Sequence, residues 1–191
     1  MEISDAIIAM VGAIAGGSIT GYYTLKATDK AIRDQNEKER RRDEREVRNL
    51  LDALGVEIST LWEFHMHRVG QMLEDLPTGK ALEFYYPLTQ DYFTIYNSNA
   101  ALIGRIPNAD LRKAIVVCYN KCKKVVDGFK YNNELFCGHH DLTTMSGESL
   151  DSKRIDAKFK ELVDYAKVLK EDHFELKSYV DRLMELITAC D

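Results

Sequence analysis

Residues Ala6 to Leu25 read AIIAMVGAIAGGSITGYYTL, 20 positions without a charged side chain. As an α-helix rising about 1.5 Å per residue, the run measures roughly 30 Å, the thickness of a bilayer's hydrocarbon core. It is therefore expected to be an N-terminal transmembrane helix, with residues 1–25 forming an anchor in the lipid bilayer. A helix buried in a soluble fold is one competing reading and a cleaved signal peptide another. The second is weakened because Met1 to Asp5 carries Glu2 and Asp5 and none of the cations that open secretory signals. The basic residues nearest the run, Lys26 through Arg48, all follow it. The positive-inside bias then predicts a single-pass protein with its N-terminus outside and its C-terminal body in the cytoplasm.

Small residues in the run are patterned. At roughly 100° per residue, Ala9, Gly12, Ala13, Gly16, Gly17 and Gly21 share one half of the helix, opposite Ile7, Val11, Ile14, Tyr22 and Leu25. A flat half lets two helix backbones approach closely, so self-association into a homo-oligomer is expected through it. Residues 26–48 then hold nine basic and seven acidic side chains with almost nothing apolar. Opposite charges recur at helical spacing, as in Asp34 with Lys38, Glu37 with Arg41 and Glu44 with Arg48, which predicts a solvated juxtamembrane helical stalk.

The remainder, residues 49–191, reads as an antiparallel helical bundle with coiled-coil-like packing, giving an all-α fold. Its first apolar register runs Val47, Leu51, Leu54, Ile58, Leu61, His65, Val69, Met72 and Leu76 until Pro77 and Gly79 stop it. A second helix should open at Pro107 or Asn108 and run to about Phe136 through Leu111, Ile115, Cys118, Cys122, Val125 and Phe129. A polar loop is expected from Gly138 to Ser149. The last helix starts near Asp151 or Ser152 and carries a seam of Ile155, Phe159, Leu162, Ala166, Leu169, His173, Leu176, Val180, Leu183 and Ile187. Between the first two, residues 80–107 read as short helices and turns, with Asn97, Ser98 and Asn99 as N-cap candidates and Gly104 as a helix terminator.

Composition removes several functions. Lys plus Arg number 26 against 31 Asp plus Glu, a net charge of −5, which removes most of the electrostatic basis for nucleic-acid binding. No phosphate-binding loop, nucleophile elbow, zinc-protease helix or dinucleotide fingerprint is present, so neither an enzyme nor a cofactor is expected. The four cysteines, in a reducing compartment, are expected as free thiols. Cys118, Cys122, Cys137, His139 and His140 permit a zinc site to be drawn, but the two helical cysteines coincide with the apolar register, where they act as small hydrophobes, and no metal is expected. His65 and His173 fall on core registers of the first and last helices. They are either neutral, hydrogen-bonded core residues or a proton-sensing pair.

The segment Ile95 to Tyr119, IYNSNAALIGRIPNADLRKAIVVCY, resembles one found in uncharacterised bacterial single-span membrane-anchored helical proteins. The resemblance is carried by Tyr96, Asn97, Asn99, Leu102, Ile103, Gly104, Ile115, Val116 and Tyr119. It implies a bacterial inner-membrane protein with one N-terminal anchor and a role in defence or phage exclusion, and it brings no activity with it. The functional expectation is an interaction or scaffold protein whose bundle binds another protein, with Tyr96, Asn97, Asn99 and Gly104 as the interaction surface. A membrane effector, whose assembled glycine-rich helices form a leak lined by Ser18, Thr20 and Thr24, is the first alternative. A cytoplasm-facing pH or metal sensor is the second.

Overall fold

A computed structural model describes residues 2–88, 91–144 and 152–190, with side chains from Gly21 onward. Its regular elements are all helical, and no strand occurs among the described residues. They are α1 (Glu2–His65), a π-helical turn (Met66–Gly70), α2 (Gln71–Asp75), α3 (Thr94–Ser98), α4 (Ala100–Ile103), α5 (Ala109–Thr144) and α6 (Ser152–Thr188). The chain divides into two compact units, Met1–Arg48 and Asn49–Asp191.

In the first unit, the expected packing residues Ala9, Gly12, Ala13, Gly16 and Gly17 lie outside the described side chains. Gly21, the remaining member, has open space where a Cβ would stand. Among the described residues no helix is long and apolar enough to cross a membrane. Residues 26–48 are helical and Arg41 meets Glu37 at 2.5 Å, the expected pairing. Glu44, however, turns back to Arg40 at 3.7 Å instead of forward to Arg48. Such exposed pairs contribute only a few tenths of a kcal/mol each.

The second unit is built on α5 and α6, which pack antiparallel. Leu162, Ala166, Leu169, His173, Leu176, Val180, Leu183 and Ile187 are all buried, so the α6 seam is spent inside the unit from Leu162 onward, while Phe159 stays 38% exposed. Lys124 reaches Asp172 at 2.5 Å and Lys121 reaches Glu175 at 2.6 Å, fixing the register of the two helices. A Cβ on Gly128 would stand 2.8 Å from Leu169 Cδ2, so the absence of a side chain there sets how closely α5 and α6 approach. The α5 N-terminus is capped by Asn108, whose Oδ1 accepts from the Asp110 and Leu111 amides at 3.0 and 3.1 Å.

Two expectations need correction. The loop expected from Gly138 is helical as far as Thr144, because His139 packs on Phe159, His140 stacks on Phe136, and the Thr143 and Thr144 hydroxyls donate to the His140 carbonyl. Leu73 is buried where Met72 was expected, and Met72 is 44% exposed. The cause is the π-turn: its wider hydrogen-bonded rings rotate less per residue, so burial advances in fours from His65 to Val69 to Leu73. Gly104 ends α4 as expected, but in a right-handed conformation (φ −61°), so no left-handed turn requires glycine there.

Residues 80–88 contain no helix and are held along α5 by two adjacent asparagines. Asn133 accepts from the Tyr86 amide at 2.8 Å and donates to the Tyr86 carbonyl at 2.7 Å, while Asn132 donates to the carbonyls of Phe84 (3.1 Å) and Leu82 (3.4 Å). Side-chain amides thus supply the partners that a neighbouring strand would otherwise give.

Candidate functional site: a histidine relay, an aromatic cavity and a shallow groove

Within the second unit the wide turn after α1 carries the chain past α6 and brings together two histidines 108 positions apart. His65 Nε2 and His173 Nδ1 are 3.0 Å apart, both residues are buried, and Trp62 stacks on the His173 ring at a centroid distance of 5.4 Å and lies tilted against the His65 ring at 5.3 Å. The other ring nitrogen of His173 lies 3.3 Å from Glu74 Oε1 on α2. Lys177 donates to the same oxygen at 2.8 Å, and Lys170 donates to the Glu74 and Leu76 carbonyls at 2.9 and 2.7 Å. Glu74 is held below the usual carboxylate range by its hydrogen bonds from Lys177 and His173, so it is ionised and can only accept.

This fixes the tautomers in sequence. Glu74 takes Nε2–H of His173, His173 Nδ1 must accept, and His65 must donate from Nε2, which leaves His65 Nδ1 with a lone pair. Burial, with the neighbouring His173 second, pulls the His65 imidazolium down to about 4. Burial also lowers His173, against the opposing pull of Glu74. At neutral pH the pair is therefore uncharged, which is the core-histidine arrangement.

His65 also lines a cavity of about 60 Å³ whose other walls include Trp62, Tyr86, Phe93, Val126 and Phe129. Tyr86 stacks on Phe129 at 4.7 Å and Phe93 meets Tyr119 edge-on at 5.7 Å. Phe93 is buried with φ at 71°, a left-handed conformation costing a bulky residue about 1–3 kcal/mol. The pin that holds it is Glu57. Its carboxylate accepts from the amides of Ile95 (2.7 Å) and Tyr96 (3.2 Å) and from the Tyr119 hydroxyl (2.8 Å), fastening α3 to α1 and α5.

The chain matches no family model, no curated protein and no solved structure.

Of the expected interaction residues, Tyr96 stacks on Tyr119 at 4.1 Å, beneath the Lys123 ammonium, and Asn99 donates to the Ile95 carbonyl at 2.8 Å. Both are thereby committed to holding α3. Asn97 and Gly104 are exposed. Gly104 borders a shallow groove between α4 and the first turns of α5, whose lining includes Ala100, Ile103, Ala109, Lys113 and Val116, with Val116 39% exposed.

Cys118 and Cys122 are buried on α5, whereas Cys137 is exposed near its end and His139 and His140 face Phe159 and Phe136. Among the described residues no group of three or more His, Cys, Asp or Glu is placed to hold a metal ion. A hydrogen bond with Cys118, then burial, pushes the Cys122 thiol up, so it stays protonated and unreactive.

Three functional elements escaped the sequence reading: Glu57, the Asn132–Asn133 pair, and Glu74, which the π-turn brings to His173. Glu57 is a lone carboxylate whose helical-spacing neighbours, Leu50, Ala53, Leu54, Thr60, Leu61 and Phe64, carry no charge, and that isolation is the signal that could have marked it. The Asn132–Asn133 pair also leaves a trace: two adjacent amides in an amphipathic helix, with Asn132 fully buried, are uncommon without backbone partners to satisfy them.

Proposed function

We propose that this chain is a membrane-anchored helical interaction protein of the bacterial inner membrane. In this reading residues 1–25 hold it in the bilayer and associate into a homo-oligomer, and the cytoplasmic bundle binds a protein partner without catalysis, cofactor or nucleic acid. The supporting observation is the α4–α5 groove. With the α6 seam consumed internally, this groove joins a floor of small residues (Ala100, Gly104 and Ala109) to an exposed Val116 and a cationic rim at Lys113. Such a surface suits an amphipathic partner helix that offers small apolar side chains to the floor and a carboxylate to Lys113. The resemblance of residues 95–119 to bacterial single-span proteins supports a role in defence or phage exclusion.

Crosslinked purification from native membranes tests both halves. A partner helix in the groove should be lost on Val116→Glu and on Gly104→Trp and retained on Val168→Glu, an equally exposed α6 position. Gly104 tolerates a side chain, its nearest neighbour being the Ala101 carbonyl at 3.4 Å, so loss there reports a blocked groove and not a broken fold. Capture unaltered by both groove variants defeats the docking assignment. Release of the full chain from membranes by alkaline carbonate defeats the anchor.

A further inference from the structure

We propose that the cavity beside His65 is a binding site for a small neutral molecule with an apolar body and one hydrogen-bond donor, a short-chain alcohol in chemical class, whose O–H is received by His65 Nδ1. The relay makes this specific. Because Glu74 is acceptor-only and is clamped by Lys177 and Lys170, the donor direction runs from His65 to His173 to Glu74. The His65 nitrogen left over carries a lone pair, on a side chain that is only 8% exposed and lines the cavity. A ligand that brings a donor completes it, and one without a donor does not.

The walls set the rest of the chemistry. Trp62, Tyr86, Phe93, Val126 and Phe129 offer apolar and aromatic surface, and no Lys, Arg, Asp or Glu lines the cavity. An ionised ligand would therefore lose its hydration without gaining a counter-charge. A cavity of about 60 Å³ has room for about four waters, which suits an aliphatic chain of about four carbons. Trp62 and Leu88 on its rim are only partly covered and Phe64 is exposed, which leaves a path of entry.

Trp62 is the single tryptophan of the chain, lines the cavity and lies 5.3 Å from the His65 ring, so tryptophan fluorescence reports on this cavity. The test is a titration of the full-length protein in its membrane with butan-1-ol and with methyl propyl ether, isomers of equal composition of which only the first has a donor. The alcohol should bind with a Kd on the order of 1 mM, and the ether about tenfold more weakly. Partition into lipid favours the ether and cannot produce that order. In Val126→Phe, which fills the cavity from a half-buried position, the response should vanish. In His65→Leu the two isomers should bind alike. No response to the alcohol, equal binding of both isomers by the unaltered protein, or a response that survives Val126→Phe overturns the assignment. Because the comparison of isomers needs no substitution, it stands even if His65→Leu fails to fold.

Discussion

Replacing Glu57 by alanine should destabilise the bundle by about 3 kcal/mol and free residues 91–99 to exchange their amide hydrogens rapidly. The carboxylate accepts from two backbone amides and from the hydroxyl of Tyr119, a residue with no solvent exposure. Hydrogen bonds to a charged group contribute roughly 1.5–3 kcal/mol each, and an orphaned buried hydroxyl costs about 1–3 kcal/mol. These bonds, with a longer one from the Thr94 hydroxyl at 3.4 Å, share one acceptor group, so their effects do not add and a single middle value is the expectation. The left-handed Phe93 immediately before α3 would then be free to relax, which concentrates the loss in this segment. Tyr119→Phe removes one donor and leaves the amides pinned, so about 1 kcal/mol is expected there. Denaturant unfolding and amide exchange at Ile95 and Tyr96 check both. Unchanged protection of those two amides in Glu57→Ala would show that α3 is held by something else.

Acidification from neutral pH should remove about 3 kcal/mol of stability before the carboxylates begin to matter. His65 has an ordinary value of 6.5 and is pulled down to about 4 in the folded chain, a difference of roughly 3 kcal/mol at about 1.4 kcal/mol per pH unit. The sign follows from which state takes the proton. Below 6.5 the unfolded chain binds it and the folded one does not, so stability is full above 6.5, declines as pH falls and is spent near 4. The imidazole faces His173 from α6, Phe129 from α5 and Trp62 from its own helix, and His173 in turn faces Glu74, with Lys177 and Lys170 beyond it. The lowered His173 adds in the same direction. Glu74 and Glu175, both lowered, contribute their losses only below about 4.5. His65→Leu should therefore flatten the decline between about 6.5 and 4.5 while leaving the steeper loss below it. Equal slopes in the two proteins across that interval would remove His65 from the account.

Most of the helical architecture can be read from the chain, because burial on α5 and α6 repeats at threes and fours wherever the helix is regular. The pairing of His65 with His173 also shows, since both occupy core registers where an unpaired imidazole is costly. What periodicity misses is whatever departs from the regular helix or depends on chemistry between distant residues. Met72 is placed wrongly because a π-turn is a change of phase that no residue type announces. Glu74 is missed for the same reason: read without the phase change, it falls off the core face. Glu57 and Asn133 satisfy backbone groups 38 and 47 positions away, and a one-dimensional pattern carries no such distance. Gly104 does end α4, yet its backbone there suits any residue, so the left-handed freedom that usually makes glycine a helix stop is not used.

The π-turn also makes the stretch between His65 and Glu74 a ruler of fixed length. Gaining or losing one residue there would swing Glu74 by roughly 100° around the helix axis and carry it away from His173 and the two lysines. The imidazoles would then be free to exchange their donor and acceptor ends. In related chains this interval should keep its count of residues even where the identities within it drift, while turns that touch no relay member are free to lengthen.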